Sequence, residues 1–114
     1  MQKVLILFTL FIPLIGYTQL IDDFEDGDFS SNPTWTGNTG SFIINGDNQL
    51  QLDTIGSATK FLLTANNSIT DTEWNFWCKL NFDPSANNQL KVYLASDKQD
   101  FTKALNGYFI NIGE

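Results

Sequence analysis

Five carboxylates crowd one short stretch of this chain, Asp22, Asp23, Glu25, Asp26 and Asp28, and they are the first residues whose type and spacing point to chemistry. Ca²⁺ takes roughly six to eight oxygen ligands, so one reading of the cluster is a structural calcium site on Asp26, Asp28 and nearby backbone carbonyls. A solvated acidic turn is the simpler reading. The spacing is not that of an EF-hand: with Gly27 at the sixth loop position, Phe24 falls third and Pro33 twelfth, where carboxylates are needed.

What is missing removes more chemistry than the cluster adds. There is no histidine, so a His-assisted Ser or Cys nucleophile cannot be assembled from this chain. Zinc is disfavoured for the same reason, since the only thiol is Cys78. Cys78 alternates with Trp74, Phe76, Leu80 and Phe82, and the expectation is a small core side chain. A glycosidase needs two carboxylates flanking the scissile bond, and no Glu-x-Asp-x-Glu strand motif is present. The sequence therefore reads as non-catalytic.

The remaining candidates are aromatic. Residues 73–82 carry apolar side chains at every even position, and Trp77 breaks the otherwise polar odd face. Tyr93 does the same in residues 89–96, where Leu90, Val92 and Leu94 alternate with Gln89, Lys91 and Tyr93. If these two segments pair, Trp77 and Tyr93 share the face opposite the core, where their rings would stack on sugar. A covering sheet or loop would instead make them a second core layer.

The elements that must position these residues are strands. No stretch past residue 19 keeps a helical period, while period-two runs recur. Besides residues 73–82 and 89–96, strands are predicted over 20–24, 42–45, 48–53, 59–65 and 107–112. Asn45-Gly46-Asp47 between two apolar runs predicts a hairpin, with φ > 0 at both turn positions and Leu50 and Leu52 inward. Residues 30–33, 36–40, 65–71 and 84–88 read as connections, and 97–105 as room for one helical turn. About seven short strands joined by polar turns indicate an all-β antiparallel sandwich or jelly roll, incomplete as it stands.

Ahead of this fold, residues 1–19 read as a signal peptide helix. Lys3 precedes an apolar run from Val4 to Ile15, with Gly16 and Thr18 at the −3 and −1 positions of a cut before Gln19. The run is shorter than the roughly 20 residues a bilayer span needs, so no stable membrane span is expected after cleavage. Export to the extracellular space, the outer cell surface or the periplasm follows from that reading. Residues 20–114 then form the N-terminal part of a β-sandwich domain. Without Lys3, five lysines and no arginine face 13 acidic residues, a formal charge of −8 that argues against nucleic acid as a partner.

The run Asp22-Asp23-Phe24-Glu25-Asp26-Gly27-Asp28-Phe29, then Pro33-Thr34-Trp35, Phe42-Ile43-Ile44-Asn45-Gly46 and Leu50-Gln51-Leu52, resembles the opening of concanavalin A-like (laminin G-like) jelly-roll modules. Phe76-Trp77-Cys78-Lys79-Leu80-Asn81-Phe82, Asp83-Pro84-Ser85, Val92-Tyr93-Leu94 and Asn106-Gly107-Tyr108-Phe109-Ile110 resemble the middle strands of such modules in exported multidomain proteins of Bacteroidota. The first eight residues of the acidic strand, from Leu20 to Gly27, also look like the start of galactose-binding-like jelly rolls. The resemblance implies a non-catalytic module of a surface or secreted protein. Its expected partner is a glycan or a surface protein, met through Trp77 and Tyr93. The alternative it leaves open is a spacer that packs on downstream domains of the same polypeptide and has no ligand.

Overall fold

The computed structural model describes residues 19–113, so the expected signal peptide, apart from Gln19, lies outside the described residues. Among the described residues there are six short strands: β1 (Trp35–Gly37), β2 (Phe42–Ile44), β3 (Leu50–Leu52), β4 (Leu62–Thr64), β5 (Leu90–Ser96) and β6 (Gly107–Ile112). They form three separate two-stranded antiparallel sheets, β1–β4, β2–β3 and β5–β6, none closed into a barrel. The all-β expectation holds at this level, as a set of ribbons rather than a finished sandwich.

The β2–β3 hairpin forms where the Asn-Gly pair places it, but with a different turn. Phe42 faces Leu52 and Ile44 faces Leu50, so four apolar residues share one side, and Ile43 and Gln51 share the other. The left-handed position is Asn48 (φ 56°) rather than Asn45 or Gly46. Asn48 N–H donates to Asn45 O at 3.1 Å, and Asn45 N–H donates to Gln49 O at 3.0 Å. Such a three-residue loop, a turn followed by one left-handed residue, is the next commonest way to close a hairpin. Asn45 favours it, because its Oδ1 accepts from the N–H groups of Asp47 (2.9 Å) and Gln49 (3.1 Å).

Three expected elements differ. Residues 20–24 form no strand: Asp22 Oδ1 accepts from Phe24 N–H at 2.9 Å, and Phe24 turns to φ 57°. The Asx turn outbids the ladder there because Asp bonds its own backbone readily. Conversely, Trp35–Gly37 lies partly in a segment read as a connection, yet pairs with Leu62–Thr64 as β1–β4. Residues 97–105 contain no helix and close as a loop instead. The largest departure is residues 73–82, which belong to no sheet although their alternation is the strongest in the chain.

The three ribbons meet around Asn38 and Phe61. Asn38 N–H donates to Phe61 O at 2.9 Å, and Phe61 N–H returns a bond to Asn38 Oδ1 at 3.1 Å. Asn38 O accepts from Ser41 N–H at 2.8 Å, fixing the 3-10 turn Thr39–Ser41 that leads into β2. Gly37 makes this approach possible. Its φ is 119°, and a Cβ there would lie 2.6 Å from Phe61 O and 3.1 Å from the Phe61 ring.

None of the described residues is fully buried. Leu90, Val92 and Leu94 are half-buried, and Cys78, expected in the core, is exposed together with Trp74, Phe76 and Phe82. The physical reason is the missing partner for residues 73–82: an apolar face is buried only by a second layer, and here no sheet carries it.

Gly37→Ala is expected to destabilise the chain by at least about 1 kcal/mol, through both the left-handed backbone and the contact with Phe61. Denaturant titration followed by exchange of the Thr36 and Leu63 amides checks this, and unchanged exchange would show that Phe61 does not rest on Gly37.

Candidate functional site

The side chains with the richest surroundings lie on one face of β5–β6. Lys91 faces Asn111 and Tyr93 faces Phe109 across the ribbon. Directly opposed residues share a face, so Lys91, Tyr93, Phe109 and Asn111 form one side, while Leu90, Val92, Ile110 and Ile112 form the other. A register shift between Tyr93 and Ala95 leaves Leu94 as the extra residue of a bulge, after which Ala95 meets Tyr108.

Around Tyr93 the rings run in a chain. Tyr93 packs on Phe109 at 5.0 Å between centroids and edge-on against Phe101 at 4.7 Å, and Phe101 meets Phe61 at 5.2 Å. Lys91 Nζ stands 5.2 Å above the Phe109 ring, a cation–π distance. Phe101 arrives from the loop between β5 and β6, which polar bonds hold shut. Asp97 accepts from Asn106 N–H at 2.8 Å and Asn106 Nδ2 at 2.9 Å. Asp100 accepts from Thr102 N–H at 3.0 Å and Lys103 Nζ at 3.1 Å, as well as from the Thr102 hydroxyl.

These bonds stabilise the ionised carboxylates. Asp97 lies below the usual carboxylate range because of the Asn106 backbone and side-chain donors, and Asp100 falls to about 2 through the Thr102 hydroxyl and backbone N–H. The two groups are solvated, so they order a loop locally and contribute little to global stability.

The structure does not bring Trp77 and Tyr93 together as rings in contact. Trp77 is 67% exposed and enters none of the aromatic pairs among the described residues, whereas Tyr93 is half-buried between Phe101 and Phe109. Trp74 lines a hollow of about 230 Å³ with Ile69, Leu94, Ala95 and Tyr108, at the end of the ribbon next to its connecting loop. That is small beside the roughly 300–1,000 Å³ of most ligand pockets. Sequence reasoning missed Phe61, Phe101 and Phe109 as companions of Tyr93, because Phe101 lies in a loop with no period to reveal it.

The calcium reading of Asp26 and Asp28 is overturned. Among the described residues no group of three His, Cys, Asp or Glu side chains converges as metal ligands. The carboxylates turn back on their own backbone instead. Asp26 Oδ1 accepts from Asp28 N–H at 3.0 Å, Asp23 Oδ1 from Glu25 N–H at 3.1 Å, and Asp28 from Ser30 N–H and, at 2.9 Å, the Ser31 hydroxyl. The Ser30 backbone donor is the main cause of a lowered Asp28 pKa. Asp22 alone reaches across the fold: its Oδ2 accepts from Trp35 Nε1 at 2.6 Å, seating the turn on β1 beside the Phe24–Trp35 ring contact at 6.2 Å.

Both loop carboxylates have folded-state pKa values below their unfolded ones, so the order they confer is present above about pH 4. It is lost as pH falls through the two lowered pKa values, that of Asp100 lying at about 2. Acidification should therefore release Phe101 from Tyr93, read as loss of the ring-current shifts of Tyr93, and Asp97→Asn should weaken those shifts already at neutral pH. Persistence of the shifts at pH 2 would separate the loop bonds from the aromatic packing. Compared with known proteins, the chain matches no family model, no curated protein and no solved structure.

Proposed function

We propose that this chain is an exported, non-catalytic β-sandwich module of the concanavalin A-like jelly-roll type, which recognises carbohydrate or another extracellular surface through Trp77. The observation that carries the reading is the 67% exposure of Trp77, a large flat ring with no aromatic partner among the described residues. An indole face left open to solvent suits the apolar face of a sugar ring, and aromatic residues dominate the energetics of many contact surfaces. Tyr93 serves this reading indirectly, as the centre of the packed rings that stiffen β5–β6.

A second reading is supported by a different observation. No described residue is fully buried, and the Leu90, Val92, Ile110 and Ile112 face is only partly covered, with Ile110 42% exposed. A spacer that packs this face against other parts of the same polypeptide would have no ligand of its own.

Glycan-array screening followed by titration of tryptophan fluorescence separates the two. For binding, Trp77→Ala is expected to weaken affinity by about 30-fold, the roughly 2 kcal/mol of an interface hot spot. Tyr93 ring shifts should stay unchanged in that variant, reporting an intact ribbon. No binding to any arrayed glycan, with those shifts in place, would leave the spacer reading.

A further inference from the structure

Among the described residues β6 is paired along one side only, to β5, and the bonds just ahead of it tell which of its backbone groups are left over. Asp97 N–H donates to Asn106 O at 2.9 Å and Asn106 N–H donates to Asp97 Oδ1 at 2.8 Å, so both backbone groups of Asn106 turn toward β5. Backbone groups alternate sides along a strand, and the extra residue of the bulge, Leu94, belongs to β5, so the alternation of β6 is unbroken. Tyr108, Ile110 and Ile112 therefore bond β5, while Gly107, Phe109 and Asn111 turn their N–H and C=O groups outward. No backbone bond from elsewhere among the described residues reaches those outward groups, including from residues 73–84, which lead from Trp74 beside Tyr108 to Ser85 near Gly113.

Edge strands are ordinarily guarded by charge, proline, a bulge or shortness. β6 has none of these: it runs six residues, the bulge sits on β5, and no charged residue or proline lies between Lys103 and Glu114. β5 by contrast carries Lys91 and the bulge, and β1 to β4 have three residues each. The side chains of β6 are open as well, with Phe109 46% exposed. We propose that the outward edge of β6 pairs with β6 of a second copy of this chain, antiparallel about a two-fold axis at Phe109, to give one sheet in the order β5–β6–β6–β5.

Two observations choose a second copy as the occupant. The first is that the outward residues are self-complementary: with Phe109 opposite the second copy's Phe109, Gly107 falls opposite its Asn111 and Asn111 opposite its Gly107. Every outward residue then sits in a hydrogen-bonded pair, and each such pair exchanges both of its bonds. A shift of one residue would set outward groups against inward ones, and a shift of two would leave one of the three without an outward partner in β6. The second is charge. A chain of net charge −7 repels its own copies, and the uncharged run 104–113 lets two of them meet without setting carboxylate against carboxylate.

Opposed residues share a face, so the two Phe109 rings meet on the Tyr93 side, and Tyr108 meets the second copy's Ile110 on the other. The partly covered faces of Leu90, Val92, Ile110 and Ile112 join into one apolar surface across four strands, where a lone two-stranded ribbon is marginal. Neither Trp77 nor a ligand takes part.

Amide exchange of the full chain, read by NMR over a range of protein concentrations, tests this without any substitution. The Phe109 and Asn111 amides should slow by at least about tenfold in step with a dimer seen by sedimentation equilibrium, while the Tyr108 and Ile110 amides, already bonded to β5, should change less. A chain that stays monomeric, or a dimer in which Phe109 and Asn111 exchange as fast as in the monomer, would overturn the proposal. Slow exchange at both in a monomer would mean that another segment of the chain covers the edge, and overturns it too. Asn111→Pro removes one outward N–H at a position where an edge strand accepts proline. It should weaken the dimer by at least about tenfold with the Tyr93 ring shifts in place, and unchanged dimerisation would also overturn the proposal. The exchange result in the unaltered chain stands whatever that variant does to the ribbon.

Discussion

The clamp on Phe61 is the contact on which the arrangement of the three ribbons depends. Its backbone is held by Asn38 from both directions, its carbonyl and ring rest on the bare Cα of Gly37, and its ring reaches Phe101. Through Asn38 it joins β1–β4 to the turn that starts β2, and through Phe101 and Tyr93 it joins β1–β4 to β5–β6. One residue thus links all three sheets, with two kinds of interaction that fail differently. The backbone bonds require a left-handed Gly37; the ring contact requires a loop that brings Phe101 down.

That linkage matters because the sheets cannot support themselves. Isolated two-stranded hairpins are marginal in water, and the four shortest strands here make up two ribbons of three residue pairs each. Fully burying a large apolar side chain contributes roughly 1.5–3 kcal/mol, and half-buried residues realise only part of that. Local polar bonds accordingly take a large share of the structural work. Asp22, Asp26, Asp28, Asn45, Asp97 and Asp100 each accept from a backbone N–H within the same turn or loop. The acidic surplus, which invites a metal reading, is largely a set of turn acceptors.

Period-two patterning made β5, β6 and the β2–β3 hairpin legible, because alternation and strand pairing are governed by the same geometry, although Leu52, expected inward with Leu50, is 51% exposed. It failed where a local competitor was present. Asp22 drew Phe24 into a turn before a strand could start, and Trp35-Thr36-Gly37 paired without any alternation, because Leu63 and its neighbours supplied the ladder partner. Cys78 and Trp77 show a subtler limit. Their pattern describes the strand they suit, whereas their exposure follows from the lack of a sheet partner among the described residues, which the pattern does not encode.

Residues 73–82 carry the strongest alternation in the chain and still belong to none of the three sheets, so Phe76, Trp77 and Cys78 stay in solvent together. Trp77 enters none of the aromatic pairs among the described residues, whereas Tyr93 is half-buried and packs on Phe101 and Phe109. The two aromatic residues that interrupt the polar faces of their segments stand in different surroundings: Tyr93 holds rings together within the ribbon, and Trp77 is open to solvent.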